Sequence, residues 1–245
     1  MRPLTLIVVL RLAGVLLALS GALSLNPSAH ANTMHTPPAT TSIARMRPAP
    51  DGSRVYGLPQ LPVHLWQDNP APDAYRNPMG CGAFTTAMAL SVYDPMLYGS
   101  YAVAQVLFAQ MAQVPVFGGT FEGENAEQAR LAGFTALPSA QGTVADLVTA
   151  VNLGAPVILL VDPGLLGIGQ HDVLLVGYRV GAAGQLRELL VDDPFLAAPT
   201  RANAPVEPGN QAIPIVDLPH RWTGVFTPIF SSPARAADWQ AQTGR

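Results

Sequence analysis

The stretch that decides the fold is GCGAFTTAMAL, residues Gly80 to Leu90. It contains Cys81, the single cysteine of the 245-residue chain. Apolar residues recur after it at helical spacing, and this pattern predicts a helix that begins at Cys81. The unpaired backbone N–H groups and the dipole at a helix start stabilise negative charge and so favour a thiolate. Cys81 is therefore a candidate nucleophile, and its flanking glycines leave room for a substrate backbone.

A single cysteine leaves other interpretations open. One thiol cannot form a disulfide within the chain, so it is a nucleophile, an intermolecular link or a small buried apolar residue. What separates these cases is whether the rest of the sequence supplies the partners that a nucleophilic thiol needs.

The first 31 residues have the pattern of a secretory signal peptide. Arg2 and Arg11 accompany an uncharged run of 14 residues, LAGVLLALSGALSL, which is shorter than the roughly 20 residues of a membrane span. Ala29 and Ala31 then form an A-x-A cleavage site. We predict a signal peptide over residues 1–31, cleavage after Ala31, and a secreted or periplasmic protein without a stable membrane span. The alternative is an uncleaved membrane anchor.

The remaining 214 residues can hold one domain of generous size or two small ones,. Residues 32–60 are rich in Pro, Thr and Ala, and we interpret them as a linker. The predicted domain covers residues 61–230, and residues 231–245 are predicted to be a surface tail. The 49% hydrophobic and 12% charged content indicates a substantial core, and basic residues are not concentrated anywhere, which argues against nucleic acid as a partner.

The order of periodic segments predicts an α+β fold. Helices are expected at Cys81, over Tyr101–Gln113, from Glu124 to about Gly133, and after the N-cap residue Thr143. Three apolar strands follow, PVILLVD, HDVLLVGY and RELLVDD. The short connections between them predict an antiparallel sheet.

A thiolate used in acyl transfer needs a histidine to move protons. Of the five histidines, His30 lies in the signal peptide and His35 in the linker, while His64 and His220 lie in the domain. His171 is the first residue of a strong strand and directly follows a Gly-rich turn, so we select it as the general base. The alternative is an ordinary surface histidine at a strand edge.

The next strand supplies a candidate to orient that imidazole. It ends at Asp192 and Asp193, which point to opposite faces if the strand continues that far. Asp193 shares its face with Leu189 and Val191, whereas Asp192 lies on the more polar face. We therefore select Asp193, and the alternative is an ordinary Asp-Pro turn. Gln67 is a candidate to donate, with the Cys81 backbone N–H, to the oxyanion of a tetrahedral intermediate.

These segments resemble the C39-like branch of the papain-like cysteine peptidases. The similarity runs through WQDNPAPDAYRNPMGCGAFTTAMAL, TVADLVTAVNLGAPVILLVD, GQHDVLLVGY and LLVDDP, in that order, and through the late segment RWTGVF. The family usually has a proline after Cys-Gly, where this chain has Ala83. The resemblance implies a papain-like fold in which a Cys-bearing helix packs on an antiparallel sheet that carries His and Asp.

The resemblance also implies roles for the candidate residues. Cys81 would be the nucleophile, His171 the base and then the acid, Asp193 its orienter and Gln67 the oxyanion donor. The expected function is a thiol hydrolase acting on a peptide or protein substrate, with no cofactor and no metal. Two alternatives remain: a non-catalytic papain-like binding module, and an acyltransferase or amidase that uses the same residues.

Overall fold

The computed structural model describes residues 43–67, 79–111, 122–162, 170–196 and 208–245. The predicted signal peptide with its cleavage site after Ala31, His30 and His35 therefore lie outside the described residues. So do most of the loop between Gln67 and Cys81 and most of the turn before His171. None of the described helices is long and apolar enough to cross a membrane.

Within the described residues, eight strands form one antiparallel sheet. They are β1 (Arg45–Pro48), β2 (Arg54–Gly57), β3 (Thr135–Ala136), β4 (Val157–Val161), β5 (His171–Val180), β6 (Leu186–Asp192), β7 (Gln211–Pro214) and β8 (Trp222–Phe230). The main path runs β1-β2-β5-β4-β8-β3, and β6 joins β5 to β7.

Strand β5 is the centre of the sheet, and His171 is its first residue. Strand β4 pairs with its first half and β2 with its second half, while β6 pairs along most of its length. All five residues of β4 and nearly all of β5 are buried, as expected for continuous apolar runs covered on both faces. His171 therefore stands at the start of a buried central strand.

The described helices are α1 (Cys81–Ser91), α2 (Pro95–Tyr98), α3 (Tyr101–Gln110), α4 (Glu122–Leu131), α5 (Val144–Asn152), α6 (Leu218–Arg221) and α7 (Pro233–Thr243). Helix α1 packs on β5 and β4 and against α2, α3 and α4. All of its residues after Cys81 are buried, so it lacks the single apolar face that its spacing suggested. A helix apolar on every side belongs in the interior. The α+β prediction, with a Cys-bearing helix on an antiparallel sheet, is confirmed.

Local signals set several helix ends. The Thr143 hydroxyl accepts from the Asp146 N–H at 3.2 Å, and the Asp146 carboxylate accepts from the Thr143 N–H at 2.7 Å. This reciprocal capping box starts α5,. Asp94 caps α2 through the Leu97 N–H, with Pro95 in the first turn where its missing N–H is harmless,.

The linker prediction is wrong for its second half. Residues 45–57 form the β1–β2 hairpin, and β2 extends the sheet by pairing with β5. Val55 is buried, and the Tyr56 ring stacks on Tyr178 with centroids 4.9 Å apart. The sequence did not indicate these strands, because the segment is rich in proline and arginine. All four residues of β1 are exposed, so β1 also lacks the alternation of apolar and polar residues that marks a half-buried strand.

The prediction of a surface tail is also wrong. Residues 233–243 form α7, which packs on α5. Trp239 is buried among Phe226 and Phe230, and its indole N–H donates to the Asp146 carbonyl at 3.0 Å. A buried tryptophan needs this partner, so the C-terminal helix is part of the core.

Candidate active site

Cys81 lies at the start of the buried helix α1 and is partly exposed. Gly80 precedes it with φ −91°, and no side chain of the described residues caps the helix. The backbone N–H groups of the first turn favour negative charge at this end of the helix. Cys81 is the residue of α1 that is not buried.

His171 joins Cys81 to Asp193. Its Nε2 lies 2.7 Å from Asp193 Oδ1, and its imidazole lies close enough to the Cys81 side chain for the two groups to interact. Because a carboxylate only accepts, Nε2 carries the hydrogen, and Nδ1 is left for the thiol. The structure thus brings together the three residues selected from the sequence as nucleophile, base and orienter.

The surroundings stabilise the protonated form of His171. Burial lowers its pKa, but the hydrogen bonds with Asp193 and Cys81 and the attraction to both groups outweigh burial and raise the pKa to about 10. The His171 side chain is only 8% exposed, so water screens these interactions weakly. An imidazolium next to a thiol is the arrangement that stabilises a thiolate.

A tight turn after β6 holds Asp193. Its Oδ1 accepts from the Phe195 N–H at 2.8 Å as well as from His171. Asn210 clamps the Asp193 backbone, accepting from its N–H at 2.8 Å and donating to its carbonyl at 2.9 Å. Sequence reasoning missed Asn210, which lies 17 residues later in a loop without periodicity.

The reason given for preferring Asp193 is wrong in one respect. Asp192 was expected on a polar face, yet it is 6% exposed, close to the 9% of Asp193. Strand β6 ends at Asp192, and its pairing with β5 shifts register, so simple alternation does not reach Asp193. The turn, rather than the strand face, directs Asp193 to His171.

Gln67 is fully buried, and its backbone N–H donates to the Pro194 carbonyl at 2.8 Å. This bond anchors Gln67 directly beside the Asp193 turn. Its expected role as oxyanion donor remains a prediction.

Phe195 forms an apolar edge to the site. Its ring meets the His171 ring edge to face, with centroids 4.9 Å apart, and the residue is 42% exposed. It covers the imidazole while presenting apolar surface to solvent. Sequence analysis did not identify Phe195, because an aromatic residue after Asp-Pro carries no signal.

A buried polar network supports the start of β5 from behind. The Thr85 hydroxyl donates to the Asp172 carbonyl at 3.1 Å, and the Asn125 amide donates to the Asp172 carboxyl at 2.9 Å. Burial raises the pKa of Asp172, opposed by the Asn125 hydrogen bond and the nearby His171. Thr85 lies on the same helix as Cys81, so these bonds fix the nucleophile's helix relative to the strand of His171.

Of the other histidines, His220 is exposed on α6, and His64 lies beside Asp192. Within the described part of the chain, no cluster of His, Cys, Asp and Glu has the arrangement of a metal site.

No protein-family model and no curated protein matches the sequence. Among solved structures, the chain is similar to a double glycine motif protease from an AMS/PCAT transporter in complex with the leader peptide, with 16% identity, a TM-score of 0.45, and coverage of 72% of this chain and 95% of that chain. It is similar to the peptidase domain of Streptococcus ComA, a bi-functional ABC transporter involved in quorum sensing, with 20% identity, a TM-score of 0.45 and coverage of 69% and 99%. The peptidase domain of Streptococcus mutans ComA gives 16% identity, a TM-score of 0.39 and coverage of 68% and 98%.

Proposed function

We propose that this chain is an exported cysteine hydrolase that cleaves peptide or amide bonds through an acyl-enzyme on Cys81. The observation that carries the proposal is the position of the His171 imidazole, which lies 2.7 Å from Asp193 through Nε2 and close enough to the Cys81 side chain to interact with it. A buried histidine between a thiol and a carboxylate can accept the thiol proton without changing its position. The resemblance to C39-like peptidases, with the site residues in the same order, points to the same chemistry.

The reaction that fits this geometry has two halves. The Cys81 thiolate attacks the substrate carbonyl, and the Nδ1 proton of His171 passes to the leaving amine as the carbon–nitrogen bond breaks. A thioester remains on Cys81. His171 then takes a proton from water, which attacks the thioester carbonyl and releases the acid and the thiolate. Asp193 keeps the imidazole in the required tautomer and orientation throughout.

The site is tested by labelling with a peptidyl electrophile directed at thiols. We expect one adduct per chain, on Cys81, and iodoacetamide at pH 6–7 should modify the native thiol much faster than a free cysteine of pKa about 8.5. Cys81→Ala is the matched control and should abolish both labels.

Slow labelling of native protein that becomes normal on unfolding would identify Cys81 as a buried structural residue. The binding-module alternative would then hold. If the native thiol is labelled but added amines divert the acyl group faster than water, the chain is an acyltransferase. Both enzymes share the thioester and differ in the acceptor.

Export is the second part of the proposal. We expect the mature protein to begin at Asn32, because the uncharged run of residues 12–25 is followed by Ala29-His30-Ala31,. N-terminal sequencing of protein recovered outside the cytoplasm checks this prediction. Full-length chain with Met1 retained in the membrane fraction would support the anchor instead.

A further inference from the structure

A second pair of histidine and aspartate lies directly beside the first. His64 Nδ1 is 3.6 Å from Asp192 Oδ1, and the two side chains are 13% and 8% exposed. On the other side of the ring, His64 Nε2 lies 2.8 Å from the Leu196 carbonyl oxygen. The two neighbouring aspartates at the end of β6 thus each face a different histidine.

His64 belongs to a segment that runs along the Asp193 turn. The Gln67 N–H donates to the Pro194 carbonyl at 2.8 Å, and the Trp66 indole N–H donates to the Phe195 carbonyl at 3.2 Å. The bond from His64 to Leu196 adds a third contact in the same direction. Residues 64–67 thus bind to residues 194–196 through these three contacts. His64 lies at the outer end of the contact, and Gln67 lies at its inner end beside Asp193.

The surroundings of His64 favour a proton on both ring nitrogens. A carbonyl oxygen only accepts, so Nε2 must carry a hydrogen toward Leu196. A neutral ring would then point the Nδ1 lone pair at the Asp192 carboxylate, which is repulsive. An imidazolium instead donates to the Leu196 carbonyl through Nε2 and attracts the Asp192 carboxylate across 3.6 Å, as an ion pair rather than a hydrogen bond. Among the described residues, Asp192 and, farther away, Asp193 are the charged groups that act on His64.

Electrostatics agree with this assignment. Burial lowers the pKa of His64, but the two carboxylates and the Leu196 carbonyl outweigh it and raise the pKa above its usual value. Since Asp193 is already held by His171, the main counter-ion of His64 is Asp192.

We infer that His64 is a positioning residue, which as an imidazolium paired with Asp192 holds Gln67 in place beside the Asp193 turn. The inference rests on the proposed function, because it concerns the same site. His64 touches neither the thiol nor the substrate in this account. It acts by fixing the backbone that presents the Gln67 amide to a forming oxyanion.

This role predicts that His64 matters for acyl transfer and not for alkylation. Acylation by p-nitrophenyl acetate passes through a tetrahedral oxyanion, whereas iodoacetamide reacts by direct displacement and forms none. We expect His64→Gln to lower the acylation rate of Cys81 at least about tenfold, compared with the 10²–10³ expected for complete loss of an oxyanion donor. The iodoacetamide rate should stay within about twofold.

The matched control is His220→Gln, the same substitution at an exposed histidine on α6, which should leave both rates unchanged. Asp192→Asn should reproduce the acylation defect, and the double variant His64→Gln/Asp192→Asn should be no worse than either single variant, because one pair is removed. Equal loss of acylation and alkylation in His64→Gln would indicate general distortion and overturn the positioning role.

The charge state is measured separately, by NMR titration of the histidine rings in the wild type and in Asp192→Asn. We expect a raised His64 pKa in the wild type and a clear fall in Asp192→Asn, where burial is no longer opposed. A His64 pKa that Asp192→Asn leaves unchanged would overturn the inference, even if His64→Gln does not fold. If wild-type Cys81 is neither acylated nor labelled, the proposed function fails. If wild-type Cys81 is both acylated and labelled, and His64→Gln is acylated at the wild-type rate, only this inference fails.

Discussion

Cys81→Ser should lower the turnover of a peptidyl substrate by about 10³-fold or more, as when the nucleophile of a related triad is removed. A serine hydroxyl at this position is far less acidic than a thiol. The imidazolium form of His171 stabilises a thiolate, which serine cannot supply. Turnover is measured as kcat/KM on a fluorogenic peptide amide that carries the same peptide as the electrophile that labels wild-type Cys81.

The fold should tolerate this change. Cys81 is partly exposed at the first position of α1, so exchanging sulfur for oxygen creates no sizeable cavity, and the free energy of unfolding should change by about 1 kcal/mol or less. The control is Ala102→Ser, which adds a hydroxyl at an exposed position of α3 and should keep full activity. Retention of most of the turnover in Cys81→Ser would remove the thiol from the mechanism.

Asp193→Ala should lower kcat/KM by about 10²–10⁴, close to the loss seen when the orienting carboxylate of a related triad is changed. Asp192→Ala should cost only about tenfold, the loss expected when the His64 pair is broken, because Asp192 faces His64 and not His171,. Asp193→Asn should be milder than Asp193→Ala, since an amide oxygen can still accept from Nε2 and an ion pair needs orientation more than a full charge. Equal losses at the two positions would indicate a damaged turn, and a larger loss at Asp192 would contradict the assignment.

Asp193→Ala also tests the electrostatics of His171. Its folded pKa of about 10 lies above the ordinary value of 6.5. Protonation of His171 therefore contributes stability that is complete below about pH 6.5 and is lost as the pH rises through about 10. In Asp193→Ala, burial is opposed by Cys81 alone, so the pKa should fall. The decline of the unfolding free energy between these pH values should become shallower, which denaturant titration at several pH values measures.

The fold class and the residues that meet at the candidate site could be predicted from sequence, whereas the edges of the domain and the turn around Asp193 could not. A lone cysteine at a helix start and a histidine at a strand start are local signals, and the motif order resembles a known family. Asn210 and Phe195 carry no such signal, because their roles arise from a turn that brings residues 193–195 and 210 together. The hairpin at residues 45–57 was missed because exposed strands show weak periodicity, although pairing with β5 stabilises it,. Helix α7 was missed although Ala236 and Trp239 form an apolar face at helical spacing,.

Strand alternation alone was an incomplete reason for selecting Asp193. Strand alternation favoured it over Asp192, but both carboxylates are buried and each has a histidine. What distinguishes them is the turn geometry set by Asn210 and by the Phe195 N–H. Sequence spacing contains no information on that geometry, since the loop between Leu196 and Pro208 separates its parts.

The central claim is that Cys81 forms a thioester while His171 moves the protons. It is tested most directly by acid quenching during p-nitrophenyl acetate turnover at neutral pH, followed by intact-mass and peptide mass spectrometry of the wild type and of His171→Ala. The account predicts one acetyl group on wild-type Cys81, released by hydroxylamine at neutral pH, and accumulation slowed by orders of magnitude in His171→Ala. Acetylation elsewhere in the chain, or equal acetylation of Cys81 in both proteins, would contradict it.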